Sequence, residues 1–462
     1  MEEYIKILLE QVRFEKAHKA IGDEIRAHIE DQAEANISEG MDKETAEKKA
    51  VEDMGDPVET GIALDKVHRP QVAWGVIVVA IIVGILGIII KFFLSKIPSS
   101  SYNVRALYIL GKFMIDVGDI GYYIYDVVCG IAVMLIMYLV DYTTVARYSK
   151  IIAAILLFSY TINKKIDSLE ASGYVIPNVL YRFVSRSETL VLLLVPLFAG
   201  IIYKYRGQKY KGLIKSLIWI MTIGLVTMGE YQQFRATVIM ICLLAELTIA
   251  IHKEWIKVPK TITIVSIWSL FAIIPMFVIR VMYNITFSAD PPNKAKEIMS
   301  GVKAFGSGTV SYVRGNLAVS TSSLVSSGVF SQFTNRESYE ITKIAAVLGG
   351  VVTVVVIAVV VALIVLGFVA TARTKNQLGA VMGSGCMMWL IINAIFNIGV
   401  GTGLLPSFYY TSFFPFISEH KVIESYAFLG IILSIYKYKD AYPQHIDIKF
   451  RSKLRKFESG NT

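Results

Sequence analysis

Two carboxylates three residues apart, Glu337 and Glu340 in the stretch NRESYEIT, stand just ahead of a long apolar run. A carboxylate so placed could take a proton as a general base or help to hold a metal ion. The plainer alternative is a pair of solvated acids at the mouth of a helix, where the positive end of the dipole favours them. A second group is cationic: Lys164, Lys165, Arg182 and Arg186 lie between two apolar runs. Contact with lipid headgroups or capture of a phosphate-bearing lipid would each account for it. Glu246 lies inside an apolar run, where snorkelling or pairing with Lys215 competes with a proton or substrate relay. The chain has no P-loop, nucleotide fingerprint or Ser/His/Asp pattern, and His18, His28 and His68 lack metal-ligand spacing.

The elements that would position these groups are apolar. Hydrophobic residues make up 54% of the chain and mean hydropathy is +0.55, which places it among polytopic membrane proteins. Spans are expected near 71–94, 121–141, 147–163, 188–204, 213–229, 235–251, 260–284, 341–368, 378–402 and 422–437. Residues 1–70 hold 18 acidic and 10 basic side chains, so of the chain's +9 they carry −8 and the remainder +17. Basic loops at 204–215, 253–260 and 373–375, with the tail, fall on the side of the N-terminus when the span count is even. That makes a multi-pass protein of a plasma membrane with both termini cytoplasmic. It gives no argument for nucleic acid. Cys129, Cys242 and Cys386 lie in apolar runs without CxxC spacing and read as buried free thiols.

The charged opening reads as lacking a signal peptide, so the first span would serve as the insertion signal. Residues 1–70 instead suggest a small helical cytosolic domain. Ile5, Leu8, Leu9 and Val12 share a helical face, Asp42 and Asp56 are candidate N-caps, and Pro57 suits a first helical position. At the other terminus, residues 438–462 form a basic tail with Ile446, Phe450, Leu454 and Phe457 on one stripe, suited to anionic lipid at the inner leaflet. The longest outer segment, 285–340, exceeds ordinary loop lengths and is where chemistry is expected. A further break, Asn397 to Ser418, interrupts an apolar run with Gly399, Gly401, Gly403, Pro406 and Pro415. Irregular backbone at a membrane boundary needs protein or a watery cavity around it.

That last stretch, NIGVGTGLLPSFYYTSFFPFIS, resembles the final extracytoplasmic loop of the FtsW/RodA/SpoVE (SEDS) family of bacterial cell-wall proteins. The resemblance extends over most of residues 71–437. LVDYTTVARYSKII (139–152) is similar to a span junction, and SRSETLVLL (185–193) to the family's Pro-Ser-Glu segment. KAFGSGTVSYVRG (303–315) is similar to its Ile-Gly-Ser-Gly-Gly segment, and Arg280 with ADPP (289–292) to the approach to that loop. Residues 1–70, especially GMDKETAEKKAVEDMGDPVETGIALDKVHRP, resemble permease prefix (HAAS-type) domains.

The resemblance implies an all-α membrane bundle of about ten transmembrane helices behind a small helical cytosolic domain. The implied activity is polymerisation of lipid II into peptidoglycan strands in division, elongation or sporulation, beside a class B penicillin-binding protein. Glu337 or Glu340 would be the base, and Lys165, Arg186, Glu188, Arg280, Ser307, Pro415 and Ser418 would contact substrate. No cofactor is fixed, although a divalent cation would suit the diphosphate. The pattern also departs from the family: Ser338 stands at the catalytic aspartate's place and Gln233 at that of another aspartate. The tryptophan expected after span 3 is missing, and Glu419, His420 and Lys421 replace Gly-Gly-Ser. A non-catalytic scaffold or sensor that binds lipid II or a penicillin-binding protein is therefore the second reading. A transporter of lipid-linked precursor is the third, since it would need charged groups deep in several spans and only Glu246 stands out as one.

Overall fold

The computed structural model describes residues 1–94, 106–109, 112–116, 118–172, 190–228, 233–282, 339–405, 413–418 and 421–446. Four helices come first: α1 (Glu2–Glu10), α2 (Glu15–Ser38), α3 (Lys43–Asp53) and α4 (Pro57–His68). Asp42 caps α3 by accepting the Thr45 amide at 3.1 Å, and Asp56 caps α4 by accepting the Val58 amide at 2.9 Å. Such caps satisfy amides that the helix leaves unpaired. Tyr4, Ile5, Leu8, Val12, Ile21 and Ile29 bury against one another in a small core of their own.

The bundle follows: α5 (Trp74–Leu94), α6 (Gly118–Leu139), α7 (Tyr142–Ala171), α8 (Leu194–Tyr203), α9 (Tyr210–Thr227), α10 (Gln233–His252), α11 (Lys260–Met282), α12 (Glu340–Leu348), α13 (Gly350–Ala372), α14 (Gln377–Gly401) and α15 (Val422–Lys437). A short antiparallel hairpin, β1 (Ala106–Ile109) and β2 (Lys112–Asp116), is the one sheet among the described residues. Seven helices, α5, α6, α7, α9, α10, α13 and α14, are long and apolar enough to cross a membrane. The shorter α8 is buried along its whole length and α15 along most of it. Their surroundings carry the exposed apolar residues, among them Ile82, Leu135, Ile155, Leu225 and Val354, as a bundle in hydrocarbon requires.

Eight of the ten expected spans overlap a single helix each, and the fourth meets a 3-10 turn (Val191–Leu193) that leads into α8. The eighth span matches no single helix. The apolar run 341–368 splits at Gly349, whose φ of 90° and ψ of 169° lie in a region open essentially to glycine. The short α12 thereby turns away from α13 and tucks its flank against α5 and α14. Hydropathy alone cannot show such a break, because both pieces are apolar.

Candidate functional site

The break places the first residue of α12, Glu340, inside the protein. Its side chain is 2% exposed and carries two ion pairs: Oε2 lies 3.2 Å from Lys91 Nζ of α5, and Oε1 lies 2.8 Å from Lys343 Nζ one helical turn on. Both lysines are themselves buried. Among the described residues, these three charged groups share one site at the end of the bundle away from α1–α4. Desolvating them is costly, and the geometry answers that cost with charge-assisted hydrogen bonds. The solvated carboxylate considered from the sequence is not what Glu340 is.

The surrounding wall is built from other elements. Lys91 Nζ sits 5.7 Å from the ring centre of Tyr123 on α6, within cation–π range. The Tyr123 hydroxyl donates to the Phe416 carbonyl at 3.1 Å, tying α6 to the turn 413–418. Phe416 holds a φ of 65°, a left-handed conformation that costs a non-glycine residue roughly 1 to 2 kcal/mol. The turn is held in place by two serines. Ser418 Oγ accepts the Phe414 amide at 2.7 Å, and Ser425 Oγ of α15 accepts the Phe416 amide at 3.2 Å. The Phe416 ring packs edge-on against Tyr426, whose hydroxyl donates 2.8 Å to the Ala80 carbonyl of α5. On the far flank of α12, Thr342 Oγ1 donates to the Gly401 carbonyl at 2.6 Å, where α14 ends.

Chemically, this is an anion-handling arrangement with one carboxylate at its centre. Each Glu340 oxygen accepts from one lysine and keeps a second lone pair, so the carboxylate retains accepting capacity beside its two ion pairs. Two buried ammonium groups, conversely, are suited to a phosphate or diphosphate that draws them off the carboxylate. Among the described residues, no three His, Cys, Asp or Glu side chains gather as a metal site.

Of the residues expected to act, Glu340, Pro415 and Ser418 belong to this region. Pro415 and Ser418 are buried, and the Ser418 hydroxyl shapes the turn. Lys165 is exposed on the last turns of α7. Arg280 lies near the end of α11, where side chains fall outside the described set, and Arg186, Glu188, Ser307 and Glu337 lie outside the described residues altogether. Lys91, Lys343 and Tyr123 were not singled out from the sequence. The signal for Lys91 was available, as a lone cation inside IIIKFFL.

Glu246 corrects a second expectation. Lys215 does not reach it; Lys215 Nζ lies 3.3 Å from Gln208 Oε1 and 5.5 Å from the Tyr205 ring centre. Glu246 is instead fully buried between α10 and α14, and neither oxygen has a hydrogen-bond partner among the described residues. Asp126 on α6 is a further buried acid, so charged groups inside the bundle are more numerous than hydropathy suggested.

Fold and site together define a polytopic helical membrane protein with a buried, cation-rich cluster at one end. No family model and no curated protein matches the chain. Among solved structures, it is similar to a chain described under "Structural coordination of polymerization and crosslinking by a peptidoglycan synthase complex". The alignment covers 80% of this chain and 99% of that one, with 12% identity and a TM-score of 0.51. At that identity the likeness establishes a shared fold.

Proposed function

We propose that this is a SEDS-type cell-wall protein that takes lipid II, a diphosphate-linked precursor, at the end of the bundle holding Lys91, Glu340 and Lys343, on the outer side of a bacterial plasma membrane. The observation that carries the reading is the Lys91–Glu340–Lys343 cluster, in which one buried carboxylate is held by two buried lysines. Support comes also from the fold shared with a chain of a peptidoglycan synthase complex and from the motifs of residues 397–418.

In this reading the precursor's diphosphate attracts Lys91 and Lys343 and frees one oxygen of Glu340. A sugar hydroxyl then attacks the anomeric carbon, forming the new C–O bond as the bond to the diphosphate breaks. Glu340 takes the hydroxyl proton, and the lysines neutralise the departing diphosphate. A class B penicillin-binding protein would be the cross-linking partner. The tail beyond residue 446 would rest on anionic lipid.

The test is polymerisation of fluorescent lipid II by the purified protein, with and without such a partner. A glycan ladder that Glu340→Gln abolishes supports catalysis. A ladder that Glu340→Gln leaves intact removes Glu340 as base.

A second reading is a non-catalytic receptor for lipid II or for a penicillin-binding protein. It is favoured by the two ion pairs that hold Glu340 as a structural counter-charge and by Ser338 and Gln233 at the places of family aspartates. Retained lipid II binding without any ladder would select it.

A further inference from the structure

At the opposite end of the bundle, the N-terminal helices are fastened to the membrane helices by three kinds of contact. Lys16, in the first turn of α2, places Nζ 2.6 Å from Asp141 Oδ2, between α6 and α7. Phe14, just before α2, stacks on Tyr438 with ring centres 5.4 Å apart and 25° between planes, and meets Tyr442 edge-on at 5.9 Å. After α4, the Gln71 amide donates 2.9 Å to the carbonyl of Lys437, the last residue of α15.

Asp141 is the hub. Besides Lys16 it accepts the Tyr442 hydroxyl, and it caps the start of α7 by accepting the Thr143 amide at 2.9 Å and hydroxyl at 2.8 Å. Residues 438–446 run from α15 as a strap across this end. The strap's Lys439 and Gln444 carbonyls accept the Lys375 and Gln377 amides, each at 3.1 Å, and the Ile446 amide donates 3.0 Å to the Tyr203 hydroxyl.

The helices gripped here are α6, which ends before Asp141, and α15, which ends before Tyr438. They lie along each other closely: a Cβ on Gly430 of α15 would approach the Met134 carbonyl of α6 to 2.5 Å. Their other ends supply the far cluster, with Tyr123 on α6 and Ser425 and Tyr426 on α15 all holding Phe416. One helix pair therefore carries the docking site at one end and the frame of the turn 413–418 at the other.

We infer that residues 1–70 are a regulatory unit that sets the order of the turn 413–418, and so of the Lys91–Glu340 site, through the α6–α15 pair, with Lys16–Asp141 and Phe14–Tyr438 as the latch. A close-packed pair transmits a shift at one end as a rigid displacement at the other, because packed interfaces do not deform smoothly. Docking and turn order are then linked by one coupling free energy and must change together. The inference holds whatever the far site binds.

Hydrogen exchange on the full-length protein tests it. The variants touch only the N-terminal side, so the caps of α7 stay whole. Lys16→Glu combined with Phe14→Ala should speed exchange in peptides covering 438–442 and, about fivefold or more, in peptides covering 413–418. Lys16→Arg should leave both at the wild-type rate. Faster exchange at 438–442 with 413–418 unchanged would overturn the coupling. No change at 438–442 in the double variant would overturn the latch itself.

Discussion

Lys91 and Glu340, 249 positions apart in the chain, meet at 3.2 Å in the interior of the bundle. The pair joins the first membrane helix to a short helix that precedes α13. Removing one partner of a buried ion pair leaves the other uncompensated and costs about 3 to 5 kcal/mol. Glu340→Gln, which takes the shared carboxylate from both Lys91 and Lys343, should therefore lower the melting temperature in detergent clearly. Lys91→Met should lower it less, since Glu340 keeps its 2.8 Å ion pair with Lys343.

Gly349 decides where Glu340 sits. Its φ of 90° with ψ of 169° is closed to residues with a Cβ, so Gly349→Ala must rotate α12 or strain the break. The expected cost is about 1 to 3 kcal/mol. The melting temperature would report it, and the far-site turn should exchange faster as Glu340 leaves Lys91. Gly75→Ala, in regular α5 with open space where its Cβ would lie, should do neither.

Much of the frame was legible in the sequence because it is local. Asp42 and Asp56 announce helix starts by residue type, and seven spans announce themselves by hydropathy. The site was legible only in part. Glu340 stood out as a carboxylate beside an apolar run, but its two lysines did not. Lys343 looks like an ordinary surface turn of ITKIAAV, and Lys91 looks like an interfacial anchor. Their meeting depends on the Gly349 break and on a contact between distant segments. The strap 438–446 was hidden for the same reason: Tyr438 and Tyr442 acquire meaning only opposite Phe14 and Asp141.

Glu246 and Gly385 form a second long-range dependence. A Cβ on Gly385 would collide with Glu246 Oε1, and the carboxyl is fully buried. Gly385→Ala should destabilise by about 1 to 3 kcal/mol, as overpacking does. Glu246→Ala should relieve that clash, so the double variant should lose less than the sum of the singles. A double-mutant cycle on melting temperatures measures the coupling. Strict additivity would mean that the two positions do not touch.

Docking of the N-terminal helices should depend on pH. Burial alone would raise the Asp141 carboxyl, but hydrogen bonds from Lys16, Tyr442 and Thr143 outweigh it and hold the group below the ordinary carboxylate range. Release of the N-terminal helices removes only the Lys16 bond among these, so the docked state binds fewer protons than the released one by that contribution alone. The stabilisation from the Lys16–Asp141 bond is present while Asp141 is charged and is lost as pH falls through the depressed value of the docked state. Asp65, held low chiefly by the hydrogen bond from Arg13, titrates in the same direction within the N-terminal helices. Limited proteolysis of residues 1–70 across acidic pH should show release, and Lys16→Met should narrow the difference between neutral and acidic samples. An unaltered pH profile in Lys16→Met would place the dependence at Asp65.

The central claim is that the Lys91–Glu340–Lys343 cluster holds the diphosphate of a lipid-linked wall precursor. The most direct measurement is equilibrium binding of labelled lipid II to the protein in nanodiscs, for wild type, Lys343→Gln and Lys343→Arg, each first shown to melt cooperatively. Loss of a charge-assisted contact worth about 1.5 to 3 kcal/mol predicts affinity weakened roughly ten- to a hundredfold in Lys343→Gln, with Lys343→Arg near wild type. Equal affinity in all three, from proteins equally folded, would contradict the account.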